Sequence, residues 1–260
     1  MPEYQRDEVT LYYEVQGSGR PIVFTHGASW NHKQWQRQVE YFSPYYQTIV
    51  WDVRGHGGSN LPSGKVDPED FSRDLIHLLD TLKIERAVLC GLSMGGHISL
   101  QTAVRYPQRV DGLVLIGTPF TNAFNWYEKI FVPVNRWSNR LMPMKLAGKI
   151  QAKVLSTYNK ENKIYIEEAF QSIPHNNWIR LWDAVTRMES KDDLEKVKCP
   201  TLLLQGEHDT MIRRQQKYMA ENIPDSRLKI ISHAHHATNL DNPQEVNEEM
   251  ALFLEEIDQL

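Results

Sequence analysis

Ser93 lies between two glycines in the string Gly91-Leu92-Ser93-Met94-Gly95, directly behind the apolar run Arg86–Cys90. A serine hydroxyl is a weak nucleophile unless it is exposed, held rigidly and set beside a base. A strand, a very tight turn and a helix meet the first two needs, with the serine at the apex and glycines where strand and helix approach too closely for side chains. Ala87–Cys90 predicts the buried strand, and Ser93–Tyr106 predicts a helix that stops at Pro107. A serine that merely caps a helix would not need both glycines. Such a nucleophile requires an acid and a base later in the chain, each in a loop after a strand. Thr201–Gln205, introduced by Pro200, predicts a strand leading into Gly206-Glu207-His208-Asp209. Leu228–Ile231 predicts another, which opens onto His233-Ala234-His235-His236. The first loop offers two carboxylates and the second three histidines, in the required order.

The elements that must position these groups alternate in the manner of a mostly parallel, twisted α/β sheet flanked by helices. Val9–Val15, Pro21–Thr25, Gln47–Trp51 and Leu113–Ile116 are expected strands; His32–Phe42 and Asp67–Leu82 are expected helices. Asp67, Pro68, Glu69 and Asp70 supply a cap, a first-turn proline and acidic residues at the start of the latter. From about Phe120 to Ser190 the alternation gives way to helical, aromatic-rich sequence, and it resumes at Pro200 to end in a helix near Pro243–Ile257. The expected organisation is one domain over residues 1–260, with a core of 1–119 and 191–260 and a helical cap at about 120–190.

The motifs resemble those of the α/β-hydrolase superfamily along essentially the whole chain, and most closely its small bacterial esterase and enol-lactonase branch. The matching strings are His26-Gly27, Trp51-Asp52-Val53-Arg54-Gly55-His56-Gly57-Gly58-Ser59, Cys90–Gly96, Gly206–Asp209 and His236–Pro243. The resemblance implies Ser93 as nucleophile, Asp209 in preference to Glu207 as acid, and His236 in preference to His233 or His235 as base. It implies an oxyanion hole from the Ala28 amide, the residue after His-Gly, beside the Met94 amide at the elbow, with Ser29 or Trp30 as the donor instead if the loop is shaped differently. The glycine-rich string 52–59 lacks the Gly-Lys-Ser/Thr ending of a phosphate loop and is expected to be structural.

The activity so implied is cleavage of a carboxylic ester or lactone, with no cofactor and a small molecule as partner. A zinc site would need three or four converging ligands with their own hydrogen-bond partners, and the histidine cluster alone does not supply them. Carbon–carbon bond hydrolases share the triad, but relatives of that kind carry Gly-Pro-Gly where this chain has Ala28-Ser29-Trp30. Dehalogenase or epoxide hydrolase chemistry would place aspartate at 93. A slow-turnover signal receptor on the same fold is a further alternative. Trp30, Phe120, Phe124, Trp126 and Trp182 are expected to contact substrate, as part of an aromatic roof. The same segment is locally basic, from Lys129 to Lys163, which reads as a solvated face or an entrance for anions.

With 41% hydrophobic residues among 260, the chain can bury a large core. A formal charge of −4 gives no reason to expect a nucleic-acid partner. The two cysteines, Cys90 and Cys199, fall at expected buried strands, as in a reducing compartment. The polar first residues do not read as a signal peptide, and no apolar run approaches the roughly 18 residues of a membrane span. A cytoplasmic address without membrane association is the expectation.

Overall fold

The computed structural model describes residues 3–6 and 8–259; Met1, Pro2, Asp7 and Leu260 of the expected 1–260 domain lie outside the described residues. The strands are β1 (Glu3–Arg6), β2 (Val9–Gln16), β3 (Pro21–Thr25), β4 (Gln47–Trp51), β5 (Ala87–Leu92), β6 (Val110–Ile116), β7 (Thr201–Gly206) and β8 (Ser226–Ile231). They form one sheet in the order β1-β2-β4-β3-β5-β6-β7-β8. The first two run antiparallel at one edge, and the rest are parallel. The helices around it are α1 (Gln36–Phe42), α2 (Pro68–Thr81), α3 (Met94–Arg105), α4 (Glu128–Ser138), α5 (Met144–Leu155), α6 (Asn162–Gln171), α7 (His175–Val185), α8 (Arg213–Asn222), α9 (Thr238–Asp241) and α10 (Pro243–Asp258).

Parallel strands covered on both faces must be apolar on both, and alternate residues sort into two cores. Val23, Ile49, Leu89 and Leu113 pack with Phe71 and Leu75 of α2 and Ile98 of α3. Ile22, Phe24, Val50, Val88 and Val114 pack on the opposite face with Phe42 of α1 and Met250 and Leu254 of α10. A one-residue slip would therefore exchange the two cores rather than expose either.

Local chemistry sets the helix starts. The Asp67 side chain accepts the Glu69 N–H, and Asp70 reaches back to the Asp67 N–H, so a capping box opens α2 behind Pro68. Asn31 caps a 3-10 turn over His32–Trp35 that precedes α1, in place of the single helix expected over His32–Phe42. Helix α8 is additional to the sequence expectations.

Four helices, α4 to α7, emerge between β6 and β7. Thr121 and Glu189 form an isolated antiparallel bridge at the neck of this insertion. Gln215 of α8 fastens it further, accepting the Phe120 N–H at 3.0 Å and donating to the Thr121 carbonyl at 3.1 Å. Among the described residues, no helix is long and apolar enough to cross a membrane.

Candidate active site

Ser93 joins β5 to α3 with φ +54° and ψ −114°, a backbone that L-residues adopt only under constraint. Its N–H donates to the Ile116 carbonyl of β6 at 2.9 Å, which anchors the turn to the neighbouring strand. A Cβ on Gly91 would lie 2.3 Å from the Gly95 carbonyl carbon, and one on Gly95 would lie 2.1 Å from the Thr25 oxygen. Both contacts are far inside van der Waals distance. The first glycine lets helix meet strand; the second seats the N-terminus of α3 against the end of β3.

His236 follows β8 and turns back over the serine. Its Nδ1–H donates to Asp209 Oδ2 at 2.7 Å, and its Nε2 accepts from Ser93 Oγ at 3.0 Å. Asp209 is fully buried after β7, with its other oxygen accepting the Met211 N–H at 3.2 Å. Burial alone would raise the Asp209 carboxyl, but the charge and hydrogen bond of His236, then His235 and the Met211 amide, hold it below its ordinary value. Burial lowers the His236 imidazole, and Asp209, with Asp241 behind it, more than offsets this, so the ring titrates above 6.5. The alternatives in these loops face elsewhere. Glu207 is about half exposed, accepts the His233 N–H and pairs with His208. His233 is exposed, and the His235 backbone donates to Asp241.

The loop after β3 is built around two buried, neutral histidines. His26 Nε2 accepts the Val53 N–H at 3.0 Å, while its Nδ1–H donates to the Gly27 carbonyl at 2.8 Å. His56 Nε2 accepts the Ser29 N–H at 3.2 Å and its Nδ1–H donates to the Arg54 carbonyl. Burial lowers both rings, His56 to about 3, so each remains an acceptor on Nε2. The string Asp52–Ser59 is thereby a brace for this loop. Asp52 accepts the His32 and Gly58 N–H groups, and Arg54 makes a two-pronged bond to Asp74 of α2 at 2.6 and 2.7 Å. The brace leaves Ser29 at φ +68° and the Ala28 N–H without an acceptor among the described residues. The Met94 N–H, first in α3, is likewise outside the helical ladder. Two backbone donors and the positive end of a helix are therefore available to an anion beside Ser93.

A cavity of about 480 Å³ opens at Ser93 and His236. Gly27, Ala28, Trp30 and Leu92 line it from the sheet side, and Asn135, Ile150, Gln151, Val154, Leu155 and Trp182 from the helical insertion, with Met211 at the rim. Of the expected aromatic contacts, Trp30 and Trp182 lie on this wall. Phe120, Phe124 and Trp126 do not. Phe120 is fully buried, and with Phe124 it packs against Tyr218 of α8. Trp126 is 76% exposed and touches Tyr127. The wall residues that aromatic content did not signal are the i, i+4 pairs Ile150/Val154 and Gln151/Leu155 of α5. That periodicity was available in the sequence. Among the described residues, no group of three His, Cys, Asp or Glu side chains converges as metal ligands do.

A mostly parallel sheet, a strained serine between strand and helix, and acid and histidine loops after the last two strands together define an α/β-hydrolase. The family model described as serine aminopeptidase, S33, matches residues 19–243, and the chain belongs to that family. It is similar to 3-oxoadipate enol-lactonase 2 of Acinetobacter baylyi, 26% identical over 253 residues that cover 92% of this chain and 91% of the relative. Epoxide hydrolase 3 of Xenopus tropicalis is 30% identical over 284 residues, with 95% of this chain and 75% of the relative covered. A thermophilic esterase from Thermogutta terrifontis superposes with a TM-score of 0.86 at 25% identity, covering 96% of this chain and 94% of the other.

Proposed function

We propose that this hydrolase cleaves a carboxylic ester or lactone through an acyl-enzyme on Ser93, with residues 120–190 acting as a cap over the site. The observation that carries the reading is the unbroken relay Ser93 Oγ, His236, Asp209, with links of 3.0 and 2.7 Å. Ser93 Oγ attacks the substrate carbonyl carbon while His236 Nε2 takes its proton. The carbonyl oxygen becomes an oxyanion facing the Ala28 and Met94 amides. Collapse breaks the bond to the leaving alkoxide, which takes the proton from His236. Water, deprotonated by the same nitrogen, then attacks the acyl-serine; the carboxylic acid leaves and Ser93 regains its proton. Asp209 keeps the Nδ1 proton in place and stabilises the imidazolium at each transfer.

Chemistry separates this reading from those that the relatives' names suggest. Opening an epoxide through an enzyme ester needs a carboxylate nucleophile, and residue 93 is serine. An aminopeptidase must hold its substrate's ammonium group, yet the cavity wall contains no carboxylate among the described residues. Its apolar lining and modest volume suit a small ester or lactone.

The deciding experiment is hydrolysis of short-chain and aryl esters and of lactones by the native chain and by Ser93→Ala. The variant should lose about four to six powers of ten in turnover at unchanged melting temperature. An organophosphonate should label Ser93 and no other serine. Near-full activity in the variant, or labelling elsewhere, would remove Ser93 from the mechanism.

A further inference from the structure

Helix α4 contains no buried residue, although it is rich in large apolar side chains. Ile130, Val134 and Trp137 recur at i, i+4 and i+7, which places them on one face, and all three point to solvent. On α5, Leu146, Ile150 and Val154 form a second exposed apolar ridge at i, i+4 and i+8. Lys145, Lys149 and Lys153 form an exposed basic ridge one residue behind it, and none of the three enters an ion pair among the described residues. Of eighteen large apolar side chains exposed among the described residues, eleven fall between Trp126 and Tyr158. Residues 126–163 hold eight Lys or Arg against two Glu, whereas the rest of the chain holds 21 against 31. Exposed apolar ridges of this kind on two successive helices signal a partner.

We propose that the α4–α5 face docks onto an anionic lipid bilayer surface. Aromatic and aliphatic side chains along one side of a helix, flanked by rows of lysine, are the composition that lies in the headgroup boundary. Trp126, Tyr127 and Trp137 supply the amphipathic rings favoured there. Charge argues against a second copy. A two-fold interface would set one basic ridge against its symmetry mate, which opposes association. An anionic surface instead meets both the cations and the apolar side chains. Lying on a bilayer needs no spanning segment, so the short apolar runs of this chain are compatible with it.

The face also adjoins the catalytic cavity. Ile150 and Val154 are each half exposed and each line the cavity, so the apolar ridge of α5 borders it. A docked molecule would hold the cavity beside the membrane, and an ester dissolved in the lipid would reach it without crossing water. This last step rests on the proposed hydrolase activity; the docking itself does not.

Co-flotation with phosphatidylcholine vesicles, with and without phosphatidylserine, tests the docking without turnover. The native chain should float with the phosphatidylserine vesicles and not with neutral ones, and added salt should release it. Each cation near such a surface changes partitioning about five-fold, so Lys145→Gln, Lys149→Gln and Lys153→Gln together should weaken binding about a hundred-fold. Trp137→Ser should weaken it at unchanged charge. Both variants should keep the native melting temperature and native turnover of a water-soluble ester. Equal binding to neutral vesicles, no binding to either, or an unaffected triple variant would overturn the proposal. A stable dimer in solution that Trp137→Ser dissociates would assign the face to a second copy and overturn it as well.

Discussion

Replacing Asp209 by Asn probes the proposed relay more sharply than removing the serine, because it changes one buried atom and leaves the volume alone. In the native site, Asp209 Oδ2 accepts from His236 and Oδ1 accepts the Met211 N–H. An asparagine has only one acceptor to serve both. If its oxygen keeps the Met211 bond, its NH2 faces His236 Nδ1 and drives the imidazole proton to Nε2, which then cannot accept from Ser93. If it flips, two N–H groups oppose each other at a fully buried position, which costs about 1–3 kcal/mol. Wrong tautomer and lost imidazolium stabilisation together should reduce kcat by about 10⁴. The pH profile adds an independent readout. Asp209 is the main influence raising His236, so native kcat/KM should climb with pH through a midpoint above 6.5 as the ring deprotonates. In the variant, burial acts on the ring with far less opposition, and the midpoint of the residual activity should move down. Stopped-flow and steady-state hydrolysis of a chromogenic ester across pH 5 to 9 would measure both. A loss under about tenfold, or a midpoint that stays in place, would refute the role assigned to Asp209.

The remaining predictions concern the loops, the fold and the wall. Glu207→Gln and His233→Ala should each retain most activity in the same ester assay, since both side chains are exposed and outside the relay; a loss approaching that of Asp209→Asn would show the acid loop is assigned wrongly. His56 and His97 are held neutral by burial with pKa values of about 3, so between pH 6.5 and 3 the unfolded chain binds protons that the native state refuses. Stability should therefore fall on acidification from 6.5, by about 1.4 kcal/mol per pH unit for each histidine. The depressed Asp209 contributes stability that is present above 3.8 and is lost as pH falls through its folded value, adding to the acid loss. The raised His236 acts oppositely, contributing most below 6.5. Urea midpoints at pH 7, 6 and 5 would read the sum, and a flat series would contradict it. Trp182→Ala opens the cavity wall and removes the Trp182 Nε1–H bond to Asn135, so KM for an aryl ester should rise several-fold with kcat less affected. Equal KM would detach Trp182 from substrate binding.

What could be read from the sequence was local in origin. The elbow is specified by residues within a few positions of Ser93, because glycine is demanded wherever strand and helix nearly touch. Strands β3 and β4 were delimited in full by their apolar runs, which buried parallel strands require on both faces. The cavity wall was not local. Phe120 and Phe124 lie close after β6, but their partner is Tyr218 on α8, a helix whose sequence, Arg213–Asn222, is too polar to stand out. Aromatic content points to a roof, whereas beside Trp30 and Trp182 the wall is made largely by aliphatic and amide side chains, four of them at helical spacing on α5.

The same distinction explains the glycine-rich string at 52–59. Taken alone it invites a ligand-binding role. In the fold its polar atoms are engaged in holding the loop after β3, through Val53 to His26 and through His56 to Ser29. Those bonds require neutral imidazoles, and burial favours that form by lowering both rings, His56 to about 3. The loop they hold carries Ala28, whose N–H must stay unpaired in the resting site if it is to hold the oxyanion of the proposed mechanism. An unpaired donor at the wall of an apolar cavity would ordinarily be drawn into a local turn. Here the residues on both sides are committed, Gly27 N–H to Gln34 and Ser29 N–H to His56. Ala28 is left free because its neighbours are not. The preorganisation that the proposed chemistry needs is thus built outside the nucleophile's own turn, by buried histidines and the loop 52–59 that lies outside the cavity wall.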